Sequence, residues 1–236
     1  MGLRAAKHFK KSPMLERKFF HSKLQFFVLF MGMTMLFGCV KSGYNESVVY
    51  NNNFKSGSSE KLTGAILYKN NGDTYLGRYN NGGFTLNLDN LPAHKAIQII
   101  VEPHMHDTWD GNNNFGGIDG PDIWEVTLDG NRIIHSTFSN SPCNALYCLY
   151  QSYPADYVGI INNPPRTGAF GDMPSICSGG NDFRTSVYKI EKTIQHTGSK
   201  ATISLRDYLV QTNVPDPKCD ESWSLGGLVV KVINTP

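Results

Sequence analysis

Residues 104–124 (HMHDTWDGNNNFGGIDGPDIW) concentrate acids, side-chain amides, glycines and two tryptophans in one stretch. Asp107, Asp110, Asn112 and Asp122, with Asn113, Asn114 and Asp119 among them, offer hard oxygen donors. Calcium takes about six to eight oxygens at about 2.3–2.6 Å and accepts carboxylates, amides and backbone carbonyls alike. Without a cation these carboxylates would repel one another inside one loop. The spacing is not that of an EF-hand, because no glutamate stands at the twelfth loop position. The competing expectation is that Asp and Asn close Asx-turns here, as they commonly do. A structural calcium held by Asp107, Asp110, Asn112 and Asp122 is the expectation carried forward.

Three other groupings bear on chemistry. His104 and His106 stand two apart, so on a strand both imidazoles share a face and, with Asp107, resemble part of a transition-metal triad. The plainer expectation is a structural histidine pair. Arg166 suits a bidentate contact with Asp220 or Glu221, either as an ion pair locking the fold or as part of a sugar-binding or acid/base site. Aromatic residues crowd the polar segments, with Trp109, Tyr147, Tyr150, Tyr153, Tyr157 and Phe170 outside any apolar run. Aromatic faces stack on the apolar faces of sugars, so Trp109, Tyr150, Tyr153, Arg166 and Glu221 form the expected ligand-binding set. Trp124 and Trp223 flank apolar runs and are expected in the core. The chain has no GxSxG elbow, P-loop, HExxH or glycine-rich dinucleotide fingerprint.

Short strands must position these residues. Phe84, Leu86 and Leu88 alternate with Thr85 and Asn87, the period-two pattern of a half-buried strand. Asn71-Gly72 and Asn81-Gly82 punctuate neighbouring runs as hairpin turns. Further strands are predicted over 74–79, 96–102, 122–128, 132–138, 185–196, 201–205 and 225–233, with residues 104–122 as a long ordered loop. Connections longer than about 12–15 residues are usually functional or disordered, and tryptophans at both ends argue for order. Residues 139–182 are rich in proline and irregular, unsuited to a sheet centre. No amphipathic helical period of ten or more residues follows the N-terminal segment. The predicted class is all-β, an antiparallel sandwich or barrel.

The N-terminal residues set the address. Of 22 Lys and Arg and 20 acids, seven basic residues and only Glu16 lie within 1–38, leaving 15 against 19 and a net charge of −4 beyond. A mildly acidic domain without a basic stripe gives no footprint for nucleic acid. A basic stretch followed by an apolar run over 26–37 has the form of a secretory signal peptide, too short to span a bilayer as a helix. The true start is either Met1 or Met14. Four further cysteines, Cys143, Cys148, Cys177 and Cys219, suggest two disulfides in an exported chain, with three connectivities open. A zinc site is the competing reading, although no CxxC pair is present.

Leu36-Phe37-Gly38-Cys39 resembles the lipobox of bacterial lipoproteins. That resemblance implies cleavage before Cys39, its diacylation and, since Val40 follows instead of aspartate, the outer membrane. A second resemblance rests on several segments together: Leu76-Gly77-Arg78-Tyr79, Leu91-Pro92-Ala93-His94, Asp107-Thr108-Trp109-Asp110-Gly111, Gly120-Pro121-Asp122-Ile123-Trp124, Thr137-Phe138-Ser139-Asn140, Tyr150-Gln151-Ser152-Tyr153-Pro154, Arg166-Thr167-Gly168-Ala169 and Asp220-Glu221-Ser222-Trp223. They resemble a recurrent jelly-roll module of bacterial extracellular proteins over about residues 76–232. It implies a jelly-roll β-sandwich with a binding or adhesive role and no particular catalytic mechanism. The expected organisation is a signal peptide over 1–38, a flexible tether over 39–60 and one jelly-roll domain over 61–236. The expected function is a lipid-anchored, surface-exposed, non-catalytic module for glycan or another extracellular polymer. Alternatives are a glycan hydrolase using a carboxylate pair or metal in the 104–122 loop, and a structural envelope lipoprotein.

Overall fold

The computed structural model describes residues 45–114, 116–117, 119–177, 184–212 and 214–234. The signal peptide and the lipidation position Cys39 lie outside them. Two antiparallel sheets build the domain. One contains β1 (Asn45–Asn52), β3 (Leu67–Asn70), β4 (Asp73–Tyr79), β6 (Ala96–Asp107), β9 (Gly171–Pro174), β10 (Arg184–Val187), β11 (Ile190–Gln195) and β13 (Glu221–Asn234). The other contains β2 (Leu62–Thr63), β5 (Gly83–Leu88), β7 (Ile123–Leu128), β8 (Asn131–Thr137) and β12 (Ala201–Tyr208). The chain crosses between sheets from β4 to β5, β6 and β7, and again from β11 to β12 and β13. This is the antiparallel jelly-roll sandwich. The helix among the described residues, α1 (Pro217–Asp220), is a single turn capped by Asp216, which accepts from the Lys218 N–H.

Alternation explains the core. Phe84, Leu86 and Leu88 of β5 and Ala201, Ile203 and Leu205 of β12 are buried, and they face Ile97, Ile99 and Val101 of β6 and Leu228, Val230 and Val232 of β13. Each large aliphatic residue removed from water contributes about 1.5–3 kcal/mol. One end of the sandwich is aromatic instead: Trp124 packs edge-to-face on Trp223 and Phe138, with centroids 5.6 and 6.1 Å away. The elements that leave this end carry the candidate site.

Three expectations need correction. The tether predicted over 39–60 is not a tether from Asn45 onward: β1 pairs with β13, and Tyr50 and Phe54 are buried. Val48, Val49 and Tyr50 supply enough apolar, β-prone side chain to add a strand to an otherwise open edge, despite the flanking asparagines. The strand predicted over 96–102 also continues through Pro103 to Asp107, so the loop begins at Thr108. Pro103 has no N–H to give the ladder, and the partners adjust around it. The single strand predicted over 185–196 divides into β10 and β11, with the Tyr188 N–H donating to Pro103 O at 3.0 Å. On the other flank, β13 changes register between Leu225 and Gly227.

The cysteines pair as Cys143–Cys148 and Cys177–Cys219. All four are therefore disulfide-bonded, which replaces the zinc reading. The second bridge ties the segment after β9 to α1.

Candidate functional site

Residues 139–170 run without regular strands over the aromatic end of the sandwich, and two buried side-chain amides hold them there. Asn140 donates from Nδ2 to Met105 O and Asp107 O, both at 2.9 Å, and its Oδ1 accepts from Ser186 Oγ. Gln151 Oε1 accepts from the backbone N–H groups of Ser139 and Arg166, while its Nε2 donates to Tyr153 O and Thr167 O. A loop so deeply placed needs partners for its backbone groups, and these amides supply both donors and acceptors. Arg166 belongs to the same arrangement, its Nη2 donating to Asn140 O at 2.9 Å. Among the described residues no ion pair joins Arg166 to Asp220 or Glu221. The expected Arg166–carboxylate lock is therefore replaced by a backbone staple.

The loop from Thr108 to Pro121 is held at both ends. Trp109 is fully buried against Phe138, and its Nε1 donates to Ser222 O at 2.9 Å. Thr108 N donates to Asp220 O at 2.8 Å. Asp122, fully buried, accepts from the N–H groups of Asp110 and Gly111 through Oδ2. Gly111 has φ +73°, and a Cβ there would come within 2.2 Å of Tyr150 O, so only glycine lets the loop touch residues 150–151 so closely. Asp107 points away from this loop. Its Oδ1 accepts from the N–H groups of Ile176 and Cys177, and Arg78 Nη2 lies 3.7 Å from its Oδ2.

An acidic floor results. Carboxylate oxygens of Asp110, Asp119 and Glu221 lie within 4.8 Å of one another. Asp122 and Glu221 are close neighbours, and each carboxylate's charge disfavours ionisation of the other. Burial pushes the Asp110 carboxyl up to about 7, with Asp119 adding repulsion. Burial, then the neighbouring Asp110, pushes Asp122 well above the usual carboxylate range. Burial, then Asp122, does the same to Glu221. Gln211 Nε2 donates to Glu221 Oε2 at 2.5 Å.

Above this floor lies an open cleft of about 1070 Å³. Asp110, Asp119 and Asp220 contribute acids to it, Asn112, Asn113, Asn144 and Asn162 amides, and Tyr147 and Tyr150 aromatic rings. The two tyrosines are 58% and 41% exposed, so their faces are available to a ligand. The Cys143–Cys148 bridge forms part of the same wall.

The expected site residues therefore separate. For the metal set, Asp107 serves the Ile176–Cys177 turn, and Asn112 is engaged by Thr137 Oγ1, Ile161 O and Asn162. Asp110 stands at the floor, with Asp122 directly behind it. Asp119 and Glu221 join that floor; Glu221 comes from β13, about a hundred residues further along the chain, and no local pattern marks it as a partner. For the ligand set, Tyr150 lines the cleft, while Trp109 and Glu221 are buried and Tyr153 stacks on Phe138 at 4.8 Å. Tyr147 is a cleft residue that the expected set left out. Trp109 looked like a surface aromatic because its neighbours are polar. Those polar neighbours are there to satisfy the loop around it.

The histidine pair does not converge on one ion. The His104 and His106 rings are perpendicular, with centroids 6.3 Å apart. His104 Nε2 lies 3.2 Å from Glu102, and His106 hydrogen-bonds Thr185 and Ser224 on either side. Burial pushes the His106 imidazole well below its usual range, so it stays neutral. These are structural histidines.

No protein-family model and no curated protein matches this chain. Among solved structures the chain is similar to a family 35 carbohydrate-binding module from Clostridium thermocellum, at 10% identity and a TM-score of 0.34, covering 79% of this chain and 97% of that one. It is also similar to a carbohydrate-binding module of Cellvibrio mixtus lichenase 5A solved with cellotriose, at 10% identity and a TM-score of 0.33, covering 78% and 97%. The jelly-roll assignment rests on the strand pairing described above, not on these likenesses.

Proposed function

We propose that this chain is a non-catalytic binding module that takes a glycan segment in the 1070 Å³ cleft, presented at the bacterial cell envelope by a lipid on Cys39. The observation that carries the reading is the pairing of two exposed tyrosine faces with a row of side-chain amides and acids in one open groove. Aromatic faces cover the apolar faces of sugar rings, while amides and carboxylates take the hydroxyls that point outward.

The acids support binding over hydrolysis. Glycoside cleavage uses two carboxyls on opposite sides of the scissile bond, about 5–9.5 Å apart, one of them protonated and both facing the substrate. Here Asp122 and Glu221 are both buried, and Asp110 and Asp119, which line the cleft, bring oxygens within 4.8 Å of one another. No histidine among the described residues lines the cleft, and the Ser141 hydroxyl donates to Asp110 Oδ1 at 3.2 Å.

Calorimetric titration with soluble polysaccharides tests the reading. Tyr147→Ala and Tyr150→Ala should each weaken binding about 2- to 13-fold, from about 0.5–1.5 kcal/mol of lost stacking. Unchanged affinity in the double variant, or release of shortened sugars, would overturn it.

A further inference from the structure

The floor of the cleft gathers several carboxylates. Asp110, Asp119 and Glu221 arrive from two separate parts of the chain and bring oxygens within 4.8 Å of one another. A calcium sphere with Ca–O distances of about 2.3–2.6 Å has a diameter of about 4.6–5.2 Å, so one ion can touch all three oxygens. None of the ion pairs among the described residues involves Asp110, Asp122 or Glu221. Their charged neighbours are other carboxylates. Arg78, the guanidinium of this end of the sheet, is turned toward Asp107 and Ser222.

A second observation points to a ligand there. Asp122 is fully buried, and its Oδ1 has no hydrogen-bond donor, although Oδ2 is saturated by two backbone N–H groups. Leaving a buried carboxylate oxygen without a donor is costly, and a cation beside it removes that cost. Gln211, whose Nε2 reaches Glu221, carries a second buried oxygen without a donor in Oε1. The site therefore has three charged oxygens in a cluster and two further oxygens at its edge. All are hard donors with no sulfur or imidazole among them, which favours calcium over zinc.

The geometry points to a calcium site formed by Asp110, Asp119 and Glu221, backed by Asp122, at the floor of the cleft. Asp110 and Asp119 line the cleft, so the ion enters from the solvent side and its outer face is open to water or a ligand hydroxyl. The site is independent of what the cleft binds, because its donors come from the protein alone. It also gives the loop from Thr108 to Pro121 a fixed attachment to β13.

The test uses the metal alone, without any sugar. Chelator-treated protein is melted with and without calcium in several-hundredfold excess over its dissociation constant. The expected result is a rise in melting temperature of about 5–12 °C. Magnesium should give a smaller rise because it resists dehydration. Glu221→Gln keeps the shape, accepts from Gln211 and relieves the contact with Asp122, so it should fold; its calcium shift should vanish. Asp110→Asn, at the open side of the site, should lose most of the shift. Terbium emission sensitised by the nearby Trp109 and displaced by calcium gives a readout that does not depend on stability. Superimposable melting curves with no terbium emission would overturn the site, and so would a calcium shift retained in Glu221→Gln.

Discussion

Replacing Asp122 separates its two roles. Through Oδ2 it accepts from the N–H groups of Asp110 and Gly111, and through its charge it crowds Glu221. Asp122→Ala leaves both N–H groups buried without an acceptor. Each orphaned group costs about 1–3 kcal/mol, so the loss is about 2–6 kcal/mol. Asp122→Asn keeps an oxygen for both donors, removes a charge and offers Glu221 an amide N–H. In chelator the asparagine variant should therefore lie within about 1 kcal/mol of the parent or above it. For a domain of this size the alanine variant should melt about 5–20 °C lower. Urea titration followed by tryptophan fluorescence reads both, since Trp109, Trp124 and Trp223 are buried around this end. If alanine and asparagine unfold at the same urea concentration, the two backbone hydrogen bonds do not hold the loop.

Three further outcomes follow from the same structure. In chelator, stability should fall as pH rises from about 4 to about 7: Asp110 is held up to about 7, so its stabilising protonated form is complete below the unfolded value near 3.8 and is lost as pH climbs. Asp122, Glu221 and Asp207 act in the same direction, and Glu102, lowered chiefly by His104, acts weakly against them. The Asp110 part is at most about 4 kcal/mol, and less because that side chain is partly exposed; melting temperatures that rise across this window would refute it. Replacing Cys177 and Cys219 with serine should cost about 3–4 kcal/mol, since their bridge spans 42 residues, whereas serines at Cys143 and Cys148 should cost about 2 kcal/mol and chiefly weaken cleft binding. Cys39→Ser should move the exported chain out of the detergent phase; unchanged partitioning would remove the lipid anchor.

Period-two alternation made β5 legible from sequence, because it buries one face and turns the other toward water. The same signal fails where both faces are covered. From Pro103 to Asp107 every residue of β6 is buried, and polar His104, His106 and Asp107 disguise a central strand as loop. Those residues are tolerated because Glu102, Thr185, Ser224 and the Ile176–Cys177 turn satisfy them. For the site, the density of oxygen donors near Asp110 was visible, but Glu221 was not, because only the pairing of β13 with β6 brings it opposite Asp107 and beside Asp122. The segments that resemble a recurrent module proved mainly structural. Asn140, Gln151, Arg166 and Trp109 secure an irregular region whose backbone would otherwise lack partners.

The amides that secure that region carry no charge at any pH a cell meets. Asn140 and Gln151 hold residues 139–170 through bonds that neither acid nor salt dissociates, so the tyrosine wall of the cleft keeps its shape in brine, soil water or an acidified biofilm. The floor does not share this indifference, since its carboxyls exchange protons and cations with the surroundings. Under the proposed display outside a membrane, where a cell controls neither acidity nor minerals, the module's outline would stay constant while the charge of its floor followed the local water chemistry.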